Sequence, residues 1–301
     1  MSSSSSILLV GGSGFIGRAL AAKLADEGRD VHVLSRRPVL NLPVGVEGHV
    51  GDQGDPHVMH PLLDQCPEII HLASATTPGD TVWSPRVEAE RTLMPGLHFL
   101  ECLQDFPQSR VIFVSSGGTL YGNVDSAAET SLPAPKSYYG AGKLALETFF
   151  SVLGQRRPGP VTILRPTNIY GPGQELKPGF GIIRTLLERA KDGGDVTLWG
   201  DGGSVRDYLY IDDMVAACYH ALNGPAGVYN LGAGIGTSLI DLIELVQQVT
   251  TRTLSVKRLP ARASDVRHIV LDITHAKADL GWQPAVSLKA GLERSWASLL
   301  I

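Results

Sequence analysis

The sequence predicts an α/β protein, a Rossmann-like doubly wound parallel sheet with a smaller C-terminal substrate-binding part. Three observations carry that expectation. Short runs of β-branched and aliphatic residues alternate with helical patterns. A glycine turn, Gly11-Gly12-Ser13-Gly14-Phe15-Ile16-Gly17, joins the first of these runs directly to a helix. Beyond Leu164 the texture changes to glycine- and proline-rich loops around Gly171-Pro172-Gly173 and Pro178-Gly179.

In chain order, Ile7 to Val10 reads as the first strand, and Ala19, Leu20 and Leu24 within Gly17 to Gly28 fall at helical spacing. Val31 to Leu34 completes a strand, turn, helix and strand unit. The runs Val46 to Val50, Ile69 to Leu72, Val111 to Val114 and Val161 to Leu164 read as further strands buried on both faces, as parallel strands are. Past them, Ile182 to Lys191 and Asp241 to Val249 read as helices, and Val228 to Leu231 as a strand returning to the main sheet. The division expected is a dinucleotide-binding part over residues 1–166, which also receives about 205–235, and an interleaved substrate part over 167–301.

Composition narrows the function classes. The 301 residues are 43% hydrophobic and 19% charged, enough to bury a large core. A net charge of −4 gives no electrostatic reason to expect nucleic acid or an anionic membrane as partner. Cys66, Cys102 and Cys218 form no CxxC pattern and read as free thiols, which suits a cytoplasmic protein. The serines after Met1 lead straight into Ile7-Leu8-Leu9-Val10, unlike a signal peptide, and no apolar stretch reaches the roughly eighteen residues of a membrane span. No metal site is expected: Asp212-Asp213 reads as a helix start, and His57 and His60 have no third ligand in the pattern.

Ligands on doubly wound sheets bind beyond the carboxyl ends of the strands. There, Gly11, Gly14 and Gly17, with Phe15 and Ile16, form a GxxGxxG turn that lets backbone approach a pyrophosphate at a helix N-terminus. The second strand ends at Ser35-Arg36-Arg37. It lacks the acidic group that usually holds an unphosphorylated ribose, and its arginines can pair with a 2′-phosphate or stack on adenine, so NAD and NADP both stay open. Asp52 and Leu72-Ala73-Ser74 fall where adenine and ribose contacts belong. Tyr139 and Lys143, four residues apart, share one helix face, where an ammonium favours a phenolate and suits the tyrosine to proton transfer.

These motifs, with Ser115-Ser116-Gly117-Gly118-Thr119-Leu120-Tyr121-Gly122, Leu164-Arg165-Pro166-Thr167-Asn168 and Gly200 to Tyr208, resemble the extended short-chain dehydrogenase/reductases of the NAD-dependent epimerase/dehydratase family, in particular its UDP-galactose and UDP-N-acetylglucosamine 4-epimerases. The resemblance covers nearly the whole chain. It implies that Tyr139 is the acid/base, that Lys143 holds the nicotinamide ribose and lowers the tyrosine pKa, and that a nucleotide sugar is epimerised at C4 through a 4-keto sugar. The family usually carries serine or threonine four residues before the tyrosine of the SSxxxYG-like segment, and Gly117 stands there. Thr119 is the preferred substitute, as alternate residues of an extended segment share a side, with Ser116 the other candidate. Gly118-Thr119 lacks the acidic pair of the dehydratases, which argues against dehydration.

On the substrate side, the resemblance implies diphosphate contacts from Asn168, Arg206 and Arg262, a ribose contact from Asp265, and a gate at Ile269 small enough for N-acetylhexosamines. It also implies a homodimer. Two other readings stand beside the epimerase: an NADPH-dependent nucleotide-4-ketosugar reductase, distinguished by net NADPH consumption, and a non-catalytic cofactor-binding protein, against which the intact Tyr139-Lys143 pair argues.

Overall fold

The computed structural model describes residues 5–78, 84–177, 179–260 and 266–301. The strands in chain order are β1 (Ile7–Val10), β2 (Val31–Ser35), β3 (Val46–Val50), β4 (Glu68–His71), β5 (Arg110–Val114), β6 (Val124–Ala127) and β7 (Val161–Pro166). They continue with β8 (Asn168–Tyr170), β9 (Asp195–Trp199), β10 (Val205–Tyr210), β11 (Val228–Leu231), β12 (Gly236–Ser238), β13 (Ser255–Leu259) and β14 (His268–Leu271). Seven form the main sheet in the order β11-β7-β5-β4-β1-β2-β3, all parallel.

Period-two alternation divides this sheet's side chains between two cores. Ile7, Leu9, Val31, Val33, Ile70 and Ile112 pack against Leu20 and Leu24 of the helix Phe15–Asp26 and against Met214 and Cys218 of the helix Ile211–Asn223. Leu8, Val10, Leu34, Ile69, Val111 and Phe113 pack on the opposite face against Met59 and Leu62 of the helix Pro56–Gln65 and against Leu146 and Phe150 of the helix Tyr138–Gln155. Helices on both faces explain why the strands read as continuous apolar runs. The three cysteines are free and buried in these cores. Among the described residues, no helix is long and apolar enough to cross a membrane.

β7 ends at Pro166 and β8 begins at Asn168, so one residue, Thr167, carries the chain from the main sheet into a second one. There β12, β10, β14 and β6 lie side by side, with β8 also on β10, while β13 pairs with β9 separately. The chain then returns to the main sheet, as β11 pairs with β7 from Val228 opposite Ile163 to Leu231 opposite Pro166. At the start of the helix Ile211–Asn223 the N-cap is Tyr210, not an aspartate. Asp213 is buried and accepts from the backbone N–H of Ala285 (2.9 Å) and Val286 (3.1 Å), so it ties down the C-terminal extended segment.

Candidate active site

A cleft opens at the carboxyl ends of β1, β2 and β4. Gly11 forms its floor with φ +79°, and a Cβ there would lie 2.6 Å from Ala73 Cα, so only glycine lets the turn close against the segment after β4. Gly14 is the N-cap of the first helix, whose first turn carries no acidic residue, and a Cβ on Gly14 would meet only Gly11 O at 3.5 Å. The helix N-terminus thus has room beside Gly14 and no side-chain cap, which fits the pyrophosphate of a dinucleotide. Ser35, Arg36, Asp52, Leu72, Ala73 and Ser74 line the cleft. Phe15 and Ile16 instead pack half-buried against the core from the first helical turn. The Ser35 hydroxyl donates to Arg37 O, and Asp52 accepts from Gly54 N at 2.8 Å. Arg91 and Thr92 line the opposite wall from a π-helical turn, Ala89–Leu93, that no sequence pattern announced.

Tyr139 and Lys143 lie in the first two turns of the helix Tyr138–Gln155, which starts where Ser137 Oγ accepts from Gly140 N at 3.1 Å. Burial pushes the Tyr139 phenol up to about 12 against hydrogen bonding with Ser74 and Ser116, and the charge of Glu88 raises it further. The expected lowering by Lys143 is absent from this geometry. The ammonium donates to Val114 O at 3.0 Å, 5.9 Å from the Tyr139 ring centroid and 5.2 Å from that of Phe113. Burial brings Lys143 down to about 8, opposed by the carboxylates of Glu88 and Glu147. Glu88 is itself buried; its Oε2 accepts from Thr76 Oγ1 at 2.6 Å, while Oε1 lies 2.5 Å from where a Cβ on Gly142 would stand. That oxygen has no hydrogen-bond partner among the described residues.

The segment carrying the candidate hydroxyl donors differs from the extended expectation. Gly117–Leu120 is a helical turn, and Thr119 Oγ1 donates back to Ser116 O at 3.2 Å. The alternation that favoured Thr119 does not exist there, and of the two candidates it is Ser116 that, together with Ser74, hydrogen-bonds the Tyr139 phenol. A Cβ at Gly117 would lie 2.6 Å from Arg165 O, so the backbone of β7 leaves no room for a side chain.

On the substrate side, Asn168 is exposed beside Gly118, with its Nδ2 donating to Asp207 O at 2.9 Å. Arg206 donates to Val205 O (2.9 Å) and Val266 O (2.5 Å); Asp201 pairs with Arg267 (3.0 Å), and Asp207 is fully buried, accepting from Ala233 N and Gly234 N. Ile269 is a correction. It is fully buried with Leu120, Tyr121, Ala127 and Leu271, so its side chain is core and not the wall of an open pocket, and the inclination towards N-acetylhexosamines that rested on it falls away. Arg262 and Asp265 lie outside the described residues.

The NAD dependent epimerase/dehydratase family matches residues 7–232. The solved UDP-glucose 4-epimerase of Thermotoga maritima, with UDP-glucose, is 32% identical, with a TM-score of 0.92 over 98% of each chain. That of Thermus thermophilus, in complex with NAD, is 31% identical, with a TM-score of 0.91 over 98% of this chain and 99% of that one. A curated relative of different activity, dTDP-4-dehydro-6-deoxyglucose reductase of Escherichia coli, is 27% identical over 304 residues, 96% of this chain and 95% of its own.

Proposed function

The chain belongs to the NAD dependent epimerase/dehydratase family, and from that premise we propose that it is a nucleotide-sugar 4-epimerase acting on a UDP-linked hexose or N-acetylhexosamine. The observation that carries the reading is the placing of the Tyr139 phenol with Ser74 and Ser116 beside a dinucleotide-shaped cleft, with Lys143 one helical turn further on. Bound nicotinamide would accept hydride from sugar C4 and return it to the other face. Gly11, Gly14 and the open helix N-terminus would hold its pyrophosphate, and Ser35, Arg36 and Asp52 its adenosine end.

The residues of this chain then move protons and fix geometry. Tyr139 would take the proton of the sugar 4-hydroxyl as it becomes a ketone and give one back on return. Ser116 would hydrogen-bond the same oxygen, holding it against the phenol. The Lys143 ammonium would supply the positive charge that favours a phenolate, at pH values below its own pKa of about 8. The phenol at about 12 is the resting acid, and it must fall in the loaded site to serve as base at neutral pH. Asn168 and Arg206 would contact the diphosphate.

Proton NMR of the enzyme with UDP-glucose, UDP-galactose and their N-acetyl counterparts, supplied with NAD or NADP and no reductant, tests the proposal. Formation of the C4 epimer supports it and ranks the sugars. An unchanged spectrum with every sugar and both cofactors overturns it. The 4-ketosugar reductase is the second reading, favoured by Arg36 in the adenosine end of the cleft without an acidic neighbour on β2, and net NADPH oxidation with a nucleotide 4-ketosugar would establish it.

A further inference from the structure

We propose that His32, Glu47 and His49 form a binding site for a borderline divalent transition ion, Zn2+ by donor type, at the outer edge of the main sheet. β3 is the edge strand, and parallel pairing sets His32 opposite Glu47 and Leu34 opposite His49. Glu47 and His49, two apart, thus flank His32 on one face. His32 Nδ1 is 2.9 Å from His49 Nε2, and the Glu47 carboxylate lies 3.9 Å from the former through Oε2 and 3.7 Å from the latter through Oε1. Donors bound at about 2.0–2.1 Å to a tetrahedral ion stand about 3.3 Å apart, and these three separations bracket that value. Two imidazoles and one carboxylate make a donor set suited to zinc and poor for calcium or magnesium, which take oxygen.

A second observation points the same way. His32 is 1% exposed, yet its far nitrogen is provided for: Nε2 is 3.3 Å from Asp30 Oδ2, and Asp30 accepts in turn from Ser6 Oγ at 2.5 Å. The Asp30 carboxylate and the Gln65 side-chain amide both lie 3.3 Å from Nε2; a carboxylate can only accept, and with the proton on Nε2 for Asp30 the Nδ1 lone pair is turned towards His49 and Glu47. Histidine ligands of metals are commonly oriented in this way. Glu47 is largely exposed, so the fourth position faces water, and the ion would fasten the edge strand to its neighbour. His32 precedes Ser35 by three residues, about 10 Å along the strand from the cofactor cleft, and none of the three residues lines that cleft.

The test uses untagged full-length protein stripped with a chelator. Zn2+ is titrated by calorimetry, and Co2+ by its visible absorption, which is intense only in tetrahedral geometry. The expected result is one ion per chain, with a rise in the thermal midpoint on adding Zn2+. His49→Gln and Glu47→Gln should each weaken binding more than about tenfold while the circular dichroism and sugar turnover stay those of the parent. These two positions are partly or largely exposed, so their variants are read against an intact fold. Absence of stoichiometric binding to the parent, or equal binding by a His49→Gln, Glu47→Gln double variant, overturns the proposal.

Discussion

Ser116 meets the Tyr139 phenol while Thr119 bonds back into its own turn, so the two hydroxyls make opposite predictions. Ser116→Ala should lower kcat about a hundredfold or more, the usual cost of losing a donor to the reacting oxygen, with bound cofactor unchanged. Thr119→Ala should leave kcat within about threefold of the parent, because a hydroxyl bonded within its own turn contributes little beyond that local bond. Equal losses in steady-state assays would contradict the assignment. Glu88 makes a second prediction. Its carboxylate raises a Lys143 pKa that burial has brought down to about 8, so Glu88→Gln should lower that pKa. The alkaline limb of kcat against pH, where the ammonium is lost, should therefore move to lower pH, and a limb that stays or moves up would separate Glu88 from Lys143. Neither effect was legible in the sequence. Gly-Gly-Thr-Leu is too short to show a helical period, and Glu88 ends a four-residue helix, Pro85–Glu88, that runs into a π-helical turn with no sequence signature.

The elements were more legible than their junctions. β1, β2 and β5 are runs of Val, Ile, Leu and Phe because both their faces are covered, and that composition survives without any knowledge of partners. The pairing of β14 with β6 and β10, by contrast, depends on segments more than fifty residues apart, so Ile269 could be placed only by analogy and its burial went unseen. The His32, Glu47 and His49 cluster is hidden for the same reason, since it exists only through the register of β2 on β3. One junction can be tested by stability. Arg165 on β7 donates from Nε and Nη2 to Glu147 (3.0 and 2.6 Å) and from Nη1 to Tyr121 OH (2.7 Å), and Tyr121 OH donates to Asn230 Oδ1 on β11 (2.8 Å). This network fastens the tyrosine helix to β7 and to β11 at the edge of the sheet. Glu147→Leu strands the buried guanidinium and should cost about 3–5 kcal/mol in denaturant unfolding, and a loss below about 1 kcal/mol would contradict the network's role.

For the whole molecule, the expected dimer has a surface that suits it. Phe149 (48% exposed) and Val152 (39%) stand three apart on the outer face of the tyrosine helix, and Met94 (44%) begins the helix Met94–Cys102 that packs beside it. Phe149→Glu should shift the protein from dimer to monomer in light scattering coupled to size exclusion, and a monomeric parent would contradict the proposed assembly. At this scale the family was legible because the phosphate turn, the Tyr139-Lys143 pair and the alternation of strands with helices are each carried by short contiguous stretches of sequence. The sugar was not, because its pocket is assembled from side chains of distant segments.

In the proposed epimerisation one hydrogen leaves C4 and returns to it within a single site. Conversion of UDP-galactose carrying deuterium at C4 measures this directly by mass spectrometry and NMR of the product. The expected product is UDP-glucose with the deuterium retained at C4 and no net change in the oxidation state of the cofactor. Loss of the label to solvent, or turnover only with a stoichiometric supply of reduced cofactor, would contradict it.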